Sequence, residues 1–139
     1  MAERATFKDF VAAQDRVWDA VTAELAAGRK ASHWMWFIFP QLASLGRSGT
    51  AKFYGLANLD EARAYLAHPV LGPRLAEATR LTLSHPEKSA EDIMGHIDAL
   101  KLCSSMTLFE AADPQNPDFA KALDTFYDGQ RCPLTRAAL

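Results

Sequence analysis

The sequence predicts an all-α fold, and three observations support this prediction. Apolar residues recur at helical spacing over several long stretches. Residues that favour helix starts and helix ends bound most of those stretches. No β-alternating run of convincing length is present, and the sequence contains no internal repeat, linker or low-complexity stretch. We therefore expect one domain over residues 1–139, folded as a compact bundle of roughly six to eight helices.

The composition is that of an ordinary globular domain. Apolar residues make up 49% and charged residues 23% of the chain, which excludes disordered, collagenous and coiled-coil classes. The formal net charge is −2, so no basic surface for a nucleic-acid polymer or an anionic membrane is indicated. The N-terminus lacks the apolar stretch of a secretory signal, and we expect a cytoplasmic location.

The first helix is predicted between Thr6 and Gly28. Thr6 and Asp9 form a capping-box pattern, and apolar residues follow at helical spacing until Gly28 ends the run. Gln14 stands in the apolar stripe where a leucine would be expected. It is either a buried amide bonded to a neighbouring helix or a group that faces a ligand pocket.

The central segment, SHWMWFIFPQ, places six large apolar side chains in succession from Trp34 to Phe39. A helix that is apolar on every side is a buried one, and this run is too short to cross a bilayer. Because imidazole exchanges a proton near neutral pH, His33 at its start is a candidate proton-transfer group or phosphate contact. A structural hydrogen-bond donor is the alternative. The polar residues at the two ends of the segment are Lys30, Ser32, His33 and Gln41.

The turn that follows, LASLGRSG, contains Arg47 and Ser48 between two glycines. Successive backbone N–H groups in such a turn can face an anion, but the ending and spacing of a phosphate-binding P-loop are missing. A plain interhelical turn is therefore favoured. The sequence also has no acidic residue between Glu24 and Asp60. This absence indicates either a core segment or a local positive field suited to an anionic ligand.

Start and stop residues predict four further helices, in addition to a second apolar helix that is described below. Asn58, Ser89 and Asn116 are typical N-cap residues, and His68-Pro69 is typical of a helix end. The predicted ranges are 58–67, 71–83, 89–95 and 116–129.

A second interior helix is predicted over IDALKLCSSMTLFEAAD, which is apolar on most of its circumference. Lys101, Ser104 and Ser105 nevertheless fall on one side of it. Lysine is rarely buried unless it is paired, so Lys101 is either ion-paired, for example with Asp98, or a base or nucleophile of an active site. The serine–lysine catalytic motif requires the serine first, and the order here is reversed.

Two cysteines are present, Cys103 and Cys132. Neither has a partner at metal-ligand spacing, so no metal site is expected. We interpret both as buried structural thiols, and a disulfide is not expected in a reducing compartment. The common dinucleotide-binding, serine-hydrolase and metalloprotease motifs are also missing, and no cofactor is expected.

Three stretches resemble an uncharacterised bacterial family known as domain of unknown function 1810. They are RKASHWMWFIFPQLASLGRS, EARAYLAHPVLGPRL and DALKLCSSMTLF, and the similarity extends from FKDFVAAQ to LDTFYDG. The resemblance implies a compact all-helical domain and brings no reaction, cofactor or catalytic residue. The label "calpastatin" that is sometimes attached to this family does not fit, because calpain inhibitors of that name are disordered repeat proteins. The polar residues at the family's motif positions are Lys30, Ser32, His33, Gln41, Ser48, Tyr54, His68, Lys101, Ser104, Ser105 and Thr107.

Two functions remain open. In the first, the chain binds an anionic small molecule such as a phosphorylated metabolite or a nucleotide, as a binding domain or as an enzyme. Its candidate catalytic residues are His33 for proton transfer and Lys101, or Lys30, for stabilising an anion. Its candidate ligand-binding residues are Gln14, Lys30, Ser32, Gln41, Arg47, Ser48, Tyr54, Ser104 and Ser105. In the second, the chain is a protein-interaction domain, whose polar residues pair helices and whose surface carries an exposed apolar patch.

Overall fold

The computed structural model describes residues 4–139, in which nine α-helices and one 3-10 turn carry the fold. The all-α prediction is confirmed. The helices are α1 Phe7–Ala27, α2 Met35–Ile38, α3 Gly49–Phe53, α4 Leu59–Ala67, α5 Leu71–Leu83, α6 Ala90–Met94, α7 His96–Ala112, α8 Pro117–Tyr127 and α9 Pro133–Ala138, and the 3-10 turn is Ala43–Leu45. None of the helices in this part of the chain combines the length and the hydrophobicity needed to span a membrane.

Capping residues begin and end the helices where the sequence predicts. The Thr6 hydroxyl accepts the backbone N–H of Asp9, and the Asp9 carboxylate accepts the backbone N–H of Thr6. Ser89 and Asp92 repeat this arrangement at the start of α6. Gly28 ends α1 with φ at 73°, a conformation that glycine adopts without steric cost.

The core lies around α7, which packs against α4, α6, α8 and α9. On the other side of the bundle, α1 packs against α2 and α5, and α5 packs against α4 and α8. Every side chain from Ser104 to Phe109 is buried, so the prediction of a second interior helix is confirmed.

The central aromatic segment is buried only in part, because Trp36 and Phe37 are half-buried, and only one turn of it is helical. Trp34, Met35, Ile38 and Phe39 are fully enclosed by the core. The helix stops after Ile38 because Pro40 disfavours the helical conformation of the residue that precedes it.

Two short helices, α3 and α9, are not predicted from the sequence. The Ser48 hydroxyl caps α3 by accepting the backbone N–H of Ala51 at 3.1 Å. Pro133 is the first residue of α9, a position that proline favours. Neither helix is long enough to show an apolar period, which explains why the periodicity does not reveal them.

A parallel bridge between Leu42 and Leu56 closes the chain between α2 and α4 into a loop. The backbone N–H of Ala43 donates to the Leu56 carbonyl at 2.8 Å, and the N–H of Leu56 donates to the Gln41 carbonyl at 2.9 Å. The loop contains the 3-10 turn and α3, and it positions Gln41 and Arg47 opposite the start of α7.

Candidate functional site

A cleft of about 320 Å³ opens between the loop over residues 41–51, the first half of α7 and the start of α9. We call it the cationic cleft. It is lined by Gln41, Leu45, Arg47, Ser48, Ala51, Ile97, Leu100, Lys101, Ser104 and Leu134. Five of these, namely Gln41, Arg47, Ser48, Lys101 and Ser104, are site residues that the sequence predicts.

Lys101 is one of two cations in the cleft. Its Nζ lies 5.4 Å from the centre of the Trp36 ring and 3.7 Å from Oδ1 of Asp98. The other Asp98 oxygen lies only 2.9 Å from Nζ of Lys30. The Asp98 carboxylate thus contacts both ammonium groups, and its closer contact is with Lys30. The ion pair with Asp98 that the sequence suggested is therefore present, as the longer of the two contacts.

Arg47 is the second cation. It is exposed, and none of the ion pairs within residues 4–139 involves it. The described residues that line the cleft also include no Asp or Glu. Both cations therefore face the cleft without a lining carboxylate to oppose them.

The rim of the cleft is apolar. Among the described residues, three of the four exposed large apolar side chains line it: Ile97, Leu100 and Leu134, with exposures of 67%, 62% and 65%. Apolar side chains that cluster on a surface mark a site where a ligand or partner binds. The cleft thus joins a cationic side to an apolar side.

The two serines of α7 have different surroundings. Ser104 is 7% exposed, its hydroxyl donates to the Leu100 carbonyl at 3.2 Å, and it contributes to the cleft lining. Ser105 is fully buried outside the cleft lining, and its hydroxyl has no hydrogen-bond partner among the described residues.

Gln14 lies in the core and not in the cleft. Its Nε2 donates to the Phe37 carbonyl at 2.7 Å and to the Tyr65 hydroxyl at 3.1 Å. Its Oε1 accepts a long hydrogen bond, 3.4 Å, from Arg74. The side chain is 1% exposed, so the buried amide is the alternative that the structure shows.

Lys30 also lies outside the cleft, where it contacts other residues of the chain. Its Nζ donates to the Ser32 carbonyl at 2.6 Å, pairs with Asp98 and lies 5.0 Å from the centre of the Trp34 ring. These contacts tie the chain before α2 to the start of α7. They do not bring Lys30 into the cleft lining.

Glu24 is not among the predicted site residues, yet it organises the start of the central segment. Its carboxylate accepts the backbone N–H groups of Ala31 at 2.6 Å and Ser32 at 2.9 Å, the Ser32 hydroxyl, and the Trp34 indole N–H at 3.0 Å. Burial acts to raise the pKa of Glu24, but these hydrogen bonds outweigh it and lower the pKa to about 2. The one signal in the sequence is that no acidic residue follows Glu24 before Asp60.

His33 and Tyr54 lie outside the cleft lining as well. His33 is exposed. Tyr54 is half-buried between the rings of Phe10 and Phe37, with centroid distances of 5.3 and 5.2 Å, and burial raises the pKa of its hydroxyl. The structure therefore does not gather all the predicted residues around one ligand. Of the polar groups at the start of the central segment, Ser32 is bound by Glu24 and Lys30 by Asp98, and Gln41 at the far end lines the cleft.

The fold and the cleft define an all-α protein with an amphipathic, cationic cleft. Within residues 4–139, no three His, Cys, Asp or Glu side chains are placed to share a metal ion. A family model described as "Protein of unknown function (DUF1810)" matches residues 4–139, and the chain belongs to this family.

The chain is also similar to the conserved hypothetical protein Rv1873 from Mycobacterium tuberculosis, whose crystal structure was determined at 1.38 Å. The two are 52% identical and superpose with a TM-score of 0.93, over 95% of this chain and 94% of that chain. No curated protein matches the chain significantly. The family resemblance seen in the sequence is confirmed. Because neither description names a ligand or a reaction, a function has to be inferred from the cleft.

Proposed function

We propose that this protein binds a small amphipathic anion in the cationic cleft. The observation that carries the proposal is that Lys101 and Arg47 line the same cleft as the exposed side chains of Ile97, Leu100 and Leu134, with no carboxylate in the lining. The cations would bind the charged group of the ligand, and the apolar rim would cover its hydrocarbon part.

The chemistry of the lining suits a phosphate, sulfate or carboxylate group. Guanidinium and ammonium groups form charge-assisted hydrogen bonds with such anions, and these bonds are stronger than neutral ones. The Gln41 amide and the Ser48 hydroxyl can orient the same group. A volume of about 320 Å³ lies at the lower end of the range for small-molecule sites, so the cleft suits a short chain or a single ring better than a dinucleotide.

We propose binding without catalysis. A general acid or base has to lie within hydrogen-bond reach of the reacting atoms, and His33 is not part of the cleft lining. Lys101 contacts Asp98 and the Trp36 ring, and these contacts suit a lysine that binds an anion rather than one that acts as a base. We place this activity in the cytoplasm, because Cys103 and Cys132 are both free thiols and a reducing compartment preserves thiols.

Calorimetric titration with octyl phosphate, below its critical micelle concentration, tests the proposal. We expect wild-type protein to bind octyl phosphate. Inorganic phosphate, which lacks the alkyl chain, and octyl glucoside, which lacks the anionic group, should bind more weakly. Lys101→Ala and Arg47→Ala should each weaken the affinity at least about tenfold, the loss of one charge-assisted hydrogen bond. Lys121→Ala is the matched control, because Lys121 is exposed on α8 outside the cleft. Octyl phosphate binding that both cleft variants retain in full would refute the proposal.

Protein docking is the second candidate function, and the exposed rim formed by Ile97, Leu100 and Leu134 favours it. The same titration separates the two. If the rim alone drives association, octyl glucoside and octyl phosphate should bind equally well, and neither Lys101→Ala nor Arg47→Ala should weaken binding.

A further inference from the structure

The fold brings the two cysteines to one cavity of about 550 Å³, which lies between α7, the α8–α9 connection and the start of α9. Their positions differ from the sequence interpretation of two buried structural thiols, because both residues are partly exposed. We propose that Cys132 and Cys103 form a two-thiol site that reduces small hydroperoxides and closes to an intramolecular disulfide. This proposal does not rest on ligand binding in the cationic cleft, although the two cavities share Leu100, Ser104 and Leu134.

One hydroxyl group links the two cysteine backbones. The N–H of Cys132 donates to Oγ1 of Thr107 at 3.0 Å, and that hydroxyl donates to the Cys103 carbonyl at 2.7 Å. A disulfide requires Cα atoms about 4.4–6.8 Å apart. The shared hydroxyl places the two cysteines on neighbouring segments, and closure of the disulfide requires their Cα atoms to come within this range. Closure therefore requires Cys132, the N-cap residue of the six-residue helix α9, to move until the two sulfurs meet.

Contacts with α7 position the segment that precedes Cys132. Arg131 is anchored by Glu110, with Nε 2.9 Å from Oε1, and its Nη1 donates to the Gly129 carbonyl at 2.7 Å. The neighbouring Gln130 carbonyl lies 3.9 Å from the Cys103 sulfur. These contacts place the connection that carries Cys132 over the face of α7 that carries Cys103.

The two thiols differ in reactivity. Burial acts to raise the pKa of Cys132, but hydrogen bonding from Ser104 and from backbone N–H groups in the first turn of α9 lowers it overall; the Ser104 Oγ lies 3.3 Å from the sulfur and donates either to it or to the Leu100 carbonyl. Burial and the proximity of Cys132 both raise the pKa of Cys103. Because the thiolate is the nucleophile, Cys132 is the attacking residue and Cys103 the resolving one.

The reaction has two steps. The Cys132 thiolate attacks one oxygen of the hydroperoxide, the O–O bond breaks, and the departing alkoxide takes a proton from water, which leaves a sulfenic acid on Cys132. The Cys103 sulfur then attacks the sulfenic sulfur, an S–S bond forms, and the departing hydroxide leaves as water with the Cys103 proton. In total, two thiols are oxidised to a disulfide and one hydroperoxide is reduced to an alcohol and water.

Treatment of the full chain with hydrogen peroxide, followed by denaturation and alkylation with maleimide, tests the site by intact mass. Wild type should lose two hydrogen atoms, take up no maleimide and recover both thiols with dithiothreitol. Peptide mapping should find Cys103 joined to Cys132 within one chain. This measurement needs no variant.

The single variants test the assigned roles. Cys103→Ser should accumulate a sulfenic acid on Cys132 that dimedone traps, and Cys132→Ser should react with peroxide at least about tenfold more slowly than Cys103→Ser. Three results would each overturn the proposal: both thiols of wild type remaining free for alkylation while Cys103→Ser is oxidised, a disulfide between two chains in place of the internal one, or equal peroxide rates for the two variants.

Discussion

Replacement of Gly55 by alanine is expected to lower the free energy of unfolding by about 3 kcal/mol. A Cβ atom at this position would lie 2.3 Å from Cα of Ala43, far inside the contact distance. Because the obstructing atom belongs to the backbone, no side-chain rotation relieves the clash. Relief requires the two segments to separate, which breaks the hydrogen bonds between residues 41–43 and Leu56. Urea denaturation measures the loss.

Gly49→Ala is the matched control for this substitution. Gly49 is the first residue of α3, and a Cβ atom there meets nothing within 4 Å. We expect a change within about 0.5 kcal/mol of zero, or a slight stabilisation, because alanine has less conformational freedom than glycine in the unfolded chain. Equal losses for the two variants would show that the close contact between Gly55 and Ala43 is not what requires glycine.

Glu24→Gln is expected to destabilise the protein by about 2 kcal/mol at pH 7. Its carboxylate accepts four hydrogen bonds from residues 31–34, and hydrogen bonds to a charged acceptor contribute about 1.5–3 kcal/mol. An amide presents one oxygen in place of two, so at least one of these donors loses its acceptor. Thermal and urea unfolding measure the effect. Glu77→Gln, an exposed position on α5, is the control and should change little.

The effect of Glu24 should also depend on pH. The pKa of this carboxyl group falls from its ordinary 4.5 to about 2 in the folded protein, so its stabilising contribution is fully present above pH 4.5. It is lost as the pH falls from 4.5 toward 2, where the folded state also becomes protonated. The stability difference between wild type and Glu24→Gln should therefore shrink over this range. A constant difference from pH 7 to pH 3 would contradict the role assigned to Glu24.

The long helices were predictable because their signals are local. The capping box at Thr6, the stop at Gly28 and the apolar spacing between them all lie within a single helix. The short helices α3 and α9 depend on contacts instead. α9 packs against α7 and the 3-10 turn, neither of which is near it in sequence. Helices of this length are marginal alone and gain their stability from packing.

The candidate site was only half predictable for the same reason. Polar residues beside the apolar segments indicated functional or structural groups, but nothing in the sequence revealed their partners. Lys30 meets Asp98, and Gln14 meets Tyr65, only after α1, α4 and α7 have taken their places. The exposed apolar rim has no sequence signal, because Ile97 and Leu100 fit the apolar pattern of an interior helix.

Amide NMR titration with octyl phosphate tests the cationic cleft most directly, because it shows where the ligand binds. We expect the largest chemical-shift changes at Arg47, Ser48, Lys101 and Leu134. The amides of Ser32 and His33, which lie outside the cleft lining, should change little. Largest changes at Ser32 and His33, with none in the cleft, would contradict the account.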